Sequence, residues 1–301
     1  MKAYIQSKGK DTADLEQYFD LIEALEAGGH LRPSRSGLVY IRDDQSLPIS
    51  NLMSSRYCHF GATLALGQLH RLTTPIGIAW QKYSTELQQT VRHLDLAKKV
   101  VELCHLAATS TETGLPPLKF FVDERRGGGG VLTGAQQSLN LESSNHASPP
   151  PEVFCWSESG LSESSSSCQR SASSSSRSFD LGPQLAESYF VLWRLTGDPR
   201  YREYAWSLTK AIYKHARTVN GYAQVRDVLS MPAAKEDYQP PNFLSATLKY
   251  LYLIFADDNT QLPLPLSLDS WVFTGDGQPL PVCESSVCFE GSPGSPLSDT
   301  N

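Results

Sequence analysis

No apolar run in these 301 residues approaches the ~20 needed to cross a bilayer. The opening stretch MKAYIQSKGKDTADLEQYF holds no apolar segment of signal-peptide length. Read literally, those absences predict a soluble chain without a membrane span, beginning in the cytosol. Basic residues are outnumbered, 26 Lys and Arg against 32 Asp and Glu for a net charge of −6, and form no stripe interleaved with aromatics. Nucleic acid is thereby excluded as the main partner. None of the six cysteines (Cys58, Cys104, Cys155, Cys168, Cys283, Cys288) forms a Cys-x-x-Cys pair or has a histidine at zinc-finger spacing. Unpaired thiols and a single structural disulfide both remain open. The glycines at 127–130 lack the Gly-Lys-Ser/Thr ending of a phosphate loop, and no Gly-x-Ser-x-Gly elbow supports a serine hydrolase. FADDN (255–259) lacks the alternating ligands of an EF-hand, so Asp257 and Asp258 read as a solvated helix end. No Asn-x-Ser/Thr sequon points to a compartment.

What is present is helical. With 40% hydrophobic residues the chain can bury a sizeable core. Apolar residues recur at helical spacing in five places. These are Leu15, Phe19, Ile22 and Leu25; Leu94, Ala97, Val101 and Cys104; and Leu185, Tyr189, Leu192 and Trp193. Tyr201, Tyr204, Leu208 and Ile212 form the fourth, and Leu244, Leu248, Leu251 and Phe255 the fifth. Short turns such as TGDPR and ADDN separate the later runs. The pattern predicts stacked helical hairpins, an all-α class. SGLVYI (36–41) is the clearest strand-like piece and is assigned to a loop hairpin.

Composition divides the chain in four: a helical part over 1–125, a Gly-, Pro- and Ser-rich insert over 126–178, a second helical part over 179–281, and a tail over 282–301. The insert and the tail hold too few core-forming residues to offset their own ordering entropy, and disorder is expected in both.

One stretch raises a chemical question. In GPQLAESYFVLWRLTGDPRYREYAW (182–206), Pro183 opens a helix and Gln184 and Glu187 lie three apart on its first turn, facing one rim. Two carboxylates there would point to acid–base work, but one position is an amide. Taken alone, Glu187 is an acidic residue favoured by the helix dipole. His59, His105 and His215 are too dispersed for a triad or a metal site and read as polar or half-buried helix residues.

Several stretches in order resemble glycoside hydrolase family 47, the class I α-1,2-mannosidases that trim N-linked glycans. ESYFVLWRLTGDPRYREYAW is similar to the hairpin that follows the family's Arg-Pro-Glu-x-x-Glu-Ser motif. GYAQVRDV, LKYLYLIFADD and LDSWVFTGDGQPLP resemble later segments, the last of which reads Phe-Asn-Thr-Glu-Ala-His-Pro-Leu-Pro in the family. Upstream, SGLVYI, TLALG and TETGLPP fall in the family's order, with an insertion near 70–90. The resemblance implies part of an (αα)7 barrel with a calcium ion at one end of its cavity. It implies inverting hydrolysis of terminal α-1,2-linked mannose in high-mannose N-glycans, in the endoplasmic reticulum or Golgi. Inversion requires two carboxyl groups ~6.5–9.5 Å apart with a water between.

Carried over position by position, the same resemblance implies an altered site. Gly182, Pro183 and Gln184 stand where the family has Arg, Pro and a catalytic Glu; an amide can orient a water but cannot take its proton. Glu187 retains the motif's second carboxylate, on substrate or on calcium-bound water. Acidic positions appear as Pro240 and Ala246, an Asp-His pair as Ser54 and Ser55, and another Glu as Leu118. The calcium-binding Thr aligns with Gly275, with Thr274 one residue away as the candidate metal ligand, completed by waters and sugar hydroxyls. Asp276 stands for a Glu as a substrate-binding candidate, and Gln278 for a His. Cys58 and Cys104 match the family's disulfide. Met1 to Lys10 resembles the middle of a long helix, which places the family's general acid and base upstream of Met1. Little or no activity is expected, with a silent glycan- or glycoprotein-binding relative as the alternative.

Overall fold

The computed structural model describes residues 1–34, 36–43, 51–67, 73–75, 90–122, 154–155, 176–256, 267–268 and 270–282. Helices α1 (Lys2–Gln6) and α2 (Thr12–Ala27) lead into an antiparallel hairpin of β1 (Leu31–Pro33) and β2 (Val39–Ile41), with Arg32 opposite Tyr40. The strand-like SGLVYI is thus the second arm of a loop hairpin. Strand β3 (Leu52–Ser54) runs through a 3-10 turn at Ser55–His59 into α3 (Phe60–Leu66). A short hairpin, β4 (Thr73–Pro75) with β5 (Thr90–Arg92), precedes α4 (His93–Thr109). Strand β6 (Lys119–Val122) lies between β3 and β7 (Phe154–Cys155), antiparallel to both.

The second helical part begins with α5 (Gln184–Thr196) and α6 (Arg200–His215). TGDPR joins them for local reasons. Gly197 ends α5 at φ +67°, a left-handed cap that its missing Cβ permits, and its N–H donates to Trp193 O at 2.8 Å. Asp198 Oδ1 accepts from Arg200 N at 3.0 Å, and Pro199 precedes the first residue of α6. A π-helical turn, Phe243–Leu248, continues into α7 (Lys249–Leu253), and β8 (Trp271–Phe273) pairs with β9 (Pro279–Pro281).

Three of the five helical runs bury most of the residues their periodicity marks; in α2 only Ile22 of the four is buried, with Leu15, Phe19 and Leu25 half-buried against the core. In the fifth, Leu244 and Phe255 are exposed, whereas Phe243, Ala246, Thr247, Tyr250 and Leu251 are buried. The π turn widens the helix there and rotates its inward face away from the 3.6-residue register. Within the insert expected to be disordered, Phe154 is buried edge-on against Phe120, and Lys119 N donates to Ser176 O at 2.9 Å. Arg177 pairs with Asp227 at 3.1 Å. The remainder of the insert, Asp257, Asp258 and the tail beyond Val282 lie outside the described residues.

The core is densest where α3, α4 and α5 meet. Gly61 lets the helices approach: a Cβ there would stand 2.2 Å from Val101 Cγ2. Cys58 and Cys104, 46 residues apart in sequence, are joined by a disulfide that ties the start of α3 to α4. Ser188 ties α5 to the same place, donating to Cys58 O at 2.7 Å while accepting from Ala62 N at 3.0 Å. His105 packs into this core from α4. It is stacked on Tyr204 at 3.5 Å and bonded through Nδ1 to Tyr189 Oη at 2.8 Å. Burial lowers its pKa to about 4, and burial does the same to His93, which bonds Tyr18 Oη.

Candidate functional site

The site grows from the first turn of α5. Its approach is strained: Leu181 is fully buried at φ +60°, a conformation non-glycine residues avoid. Thr247 Oγ1 holds it there, donating to Leu181 O at 2.7 Å. Pro183 follows as the helix cap, and Glu187 N donates to Pro183 O at 2.8 Å, closing the first turn.

Gln184 and Glu187 share that turn but meet different surroundings. Gln184 is half-buried and lines a shallow recess with Ser55, Pro116, Asp180 and Gly182. The recess joins three of the five segments in which the sequence places altered positions. Ser54 and Ser55 both donate to Leu118 O at 3.3 Å, so the two hydroxyls serve the backbone. Asp180 Oδ1 accepts from Gly182 N at 3.1 Å, and Asp180 pairs with exposed Arg56 at 3.6 Å. At Gly182, a Cβ would fall 2.3 Å from Gln184 Oε1 and 2.8 Å from Asp180 Oδ1. A larger residue there would have to displace those two movable side-chain oxygens.

Glu187 is 5% exposed and pairs with Lys2 Nζ of α1 at 2.5 Å. The fully buried Tyr250 lies near enough that the Glu187 charge adds to burial in raising its pKa far above the ordinary value. Tyr250 packs on Phe190 and on Phe273, which brings the β8–β9 turn to the same end of the molecule.

That turn is built by its own backbone. Thr274 N donates to Gln278 O at 2.9 Å, Gln278 N donates to Thr274 Oγ1 at 3.1 Å, and Gly277 N donates to Thr274 O at 3.0 Å. Gly277, at φ +73°, rests directly on the π turn: a Cβ would meet Ser245 O at 2.5 Å and Ala246 Cα at 3.0 Å. Lys249 Nζ donates to Gly277 O at 2.8 Å. Gly275, Asp276 and Gln278 are exposed. The structure therefore brings Thr274 and Ala246 to one place and leaves Asp276 facing solvent.

Calcium takes 6–8 oxygen ligands, and waters that complete such a shell need anionic acceptors behind them. The donors here fit poorly. Both Thr274 oxygens already accept turn hydrogen bonds, Asp276 is exposed, and Glu187 is held by an ammonium. No group of three or more His, Cys, Asp or Glu that could hold a metal occurs among the described residues. Sequence reasoning missed Lys2, Asp180 and Ser188, and took Tyr250 as a retained scaffold aromatic. Ser188 did carry a signal, as a lone hydroxyl within a buried apolar stripe.

With this geometry in view, comparison with known proteins is decisive. The profile of glycosyl hydrolase family 47 matches residues 1–282. The chain belongs to glycosyl hydrolase family 47. It is 31% identical over 288 residues to mannosyl-oligosaccharide 1,2-alpha-mannosidase IA of Sus scrofa, covering 95% of this chain and 34% of that protein. The corresponding values for the IA enzyme of Drosophila melanogaster are 28% identity over 293 residues, 97% and 35%. The chain thus spans about a third of the length of these curated relatives. An alpha-1,2-mannosidase from Trichoderma reesei superimposes with a TM-score of 0.60 at 20% identity, covering 94% of this chain and 50% of that one. The fold is all-α, part of the (αα)7 barrel of that neighbour, and no described helix is long and apolar enough to cross a membrane. The disulfide between Cys58 and Cys104 joins the pair that the family resemblance implied.

Proposed function

We propose that this chain works on the terminal α-1,2-linked mannose of high-mannose N-glycans as a family 47 member, and that by itself it hydrolyses that linkage weakly or not at all. Membership in the family supports the substrate class. The observation that carries the second half is the state of the α5 rim. Gln184 cannot ionise, and Glu187 is bound to Lys2. Inverting hydrolysis needs one carboxyl to give a proton and another to activate water. The calcium that the family uses would add Lewis-acid and positioning chemistry at Thr274, but the donors there fit it poorly and no step is assigned to it. A glycoprotein-processing compartment, endoplasmic reticulum or Golgi, accords with the disulfide, which needs an oxidising environment.

A second reading, a catalytically silent glycan- or glycoprotein-binding relative, rests on the same end of the molecule. Glu187 and the Tyr250 hydroxyl are polar groups beside an aromatic cluster, a combination suited to sugar hydroxyls. One experiment addresses both readings: the purified full chain is incubated with a high-mannose N-glycan, and released mannose and bound glycan are measured. Little or no mannose is expected. Saturable binding without release selects the second reading, and release abolished by a chelator overturns the inactivity.

A further inference from the structure

The counter-charge at the α5 rim carries an inference of its own. Glu187 is nearly inaccessible, and a carboxylate at that depth is costly unless a positive charge compensates it. The Lys2 ammonium does so at 2.5 Å, from a helix that packs against β8, and its own side chain is 28% exposed. Of the other carboxylates near this end, Asp276 is exposed on the β8–β9 turn and Asp180 lies in the neighbouring recess, paired with Arg56. Ala246 and Pro240 are neutral, Gln184 faces the neighbouring recess, and Tyr250 is a neutral phenol whose ionisation burial opposes. A divalent ion beside Thr274 would meet a fixed ammonium and a carboxylate already neutralised, with both threonine oxygens committed to the turn.

We propose that the Lys2–Glu187 pair replaces a divalent cation at this end of the barrel, so that the chain folds and holds its site without binding calcium. The inference rests on the ion pair and is independent of whether glycan is bound or cleaved.

The test uses the full chain, thermal melting with calcium chloride or a chelator, and calorimetric titration with calcium chloride. The wild type is expected to give no saturable heat and the same Tm in both conditions. Lys2→Met strands a buried carboxylate and is expected to lower Tm by at least about 5 °C. Glu187→Gln in the Lys2→Met background removes that charge and is expected to recover most of the loss. Saturable calcium binding, or a Tm that falls on chelation, overturns the proposal. So does an unchanged Tm in Lys2→Met, or a double variant no more stable than the single one.

Discussion

Glu187 and Ser188 are neighbours on one helix and look into different regions. Ser188 enters the seam between α3, α4 and α5, where its hydroxyl both donates and accepts across more than a hundred residues of sequence. Glu187 looks toward the rim, where its only ion-pair partner among the described residues is Lys2. In the seam Ser188 is matched as donor and acceptor and Gly61 packs directly on Val101, so replacing either leaves an orphaned group or a clash. On the rim, an amide at 184, alanine at 246 and proline at 240 leave no buried charge unpaired. Packing holds a scaffold together whether or not chemistry is done in its cavity.

The largest expected lesion to the seam is loss of the disulfide. Closing its 46-residue separation removes unfolded-state entropy of about 4 kcal/mol, so Cys104→Ser should lower the denaturation free energy by about that amount. Urea unfolding with and without a reductant measures it. A loss below ~1 kcal/mol would show that the seam does not depend on the cross-link.

Acid should strain the same region next. His93 and His105 are held neutral, with pKa values lowered from 6.5 to about 4 by burial. Their contribution is complete above pH 6.5 and is lost as pH falls toward 4, because the unfolded chain binds protons the native chain refuses. Unfolding across that window should take up as many as about two protons, read from the dependence of the urea midpoint on pH. A flat dependence would place both rings in water.

Ser188→Ala should cost about 1–3 kcal/mol by orphaning Ala62 N–H and Cys58 O. The rim should respond least. Gln184→Glu should change stability by less than ~0.5 kcal/mol, since the side chain is half-buried and its recess opens to solvent. It should also leave mannose release at the wild-type level, because an added carboxylate there still lacks a partner across a water. A gain in release would erase the distinction between the two regions.

Much of the frame is legible in the sequence because helix faces report themselves every 3.6 residues and capping signals are local. TGDPR shows this: a glycine with positive φ, an aspartate side chain and a proline each act on backbone within a few positions. The π turn is where that legibility ended, since a widened turn rotates the face without altering composition. Spacing marked Gln184 and Glu187 on one rim, but only resemblance gave them a role and pointed to Thr274 and the paired cysteines. Lys2 could not be read, because its partner lies 185 residues away and no local pattern links them.

The sequence by itself determined the helical class, the loop hairpin at 36–41, the turn between α5 and α6, and an amide at position 184 that cannot ionise. Those follow from short-range sterics and side-chain chemistry. Only the tertiary structure decided that Glu187 is buried and paired with Lys2, that Thr247 holds the Leu181 backbone, and that Gly277 rests on the π turn. Each depends on groups brought together from distant parts of the chain, and the charge or space a residue has left for chemistry is fixed by those neighbours.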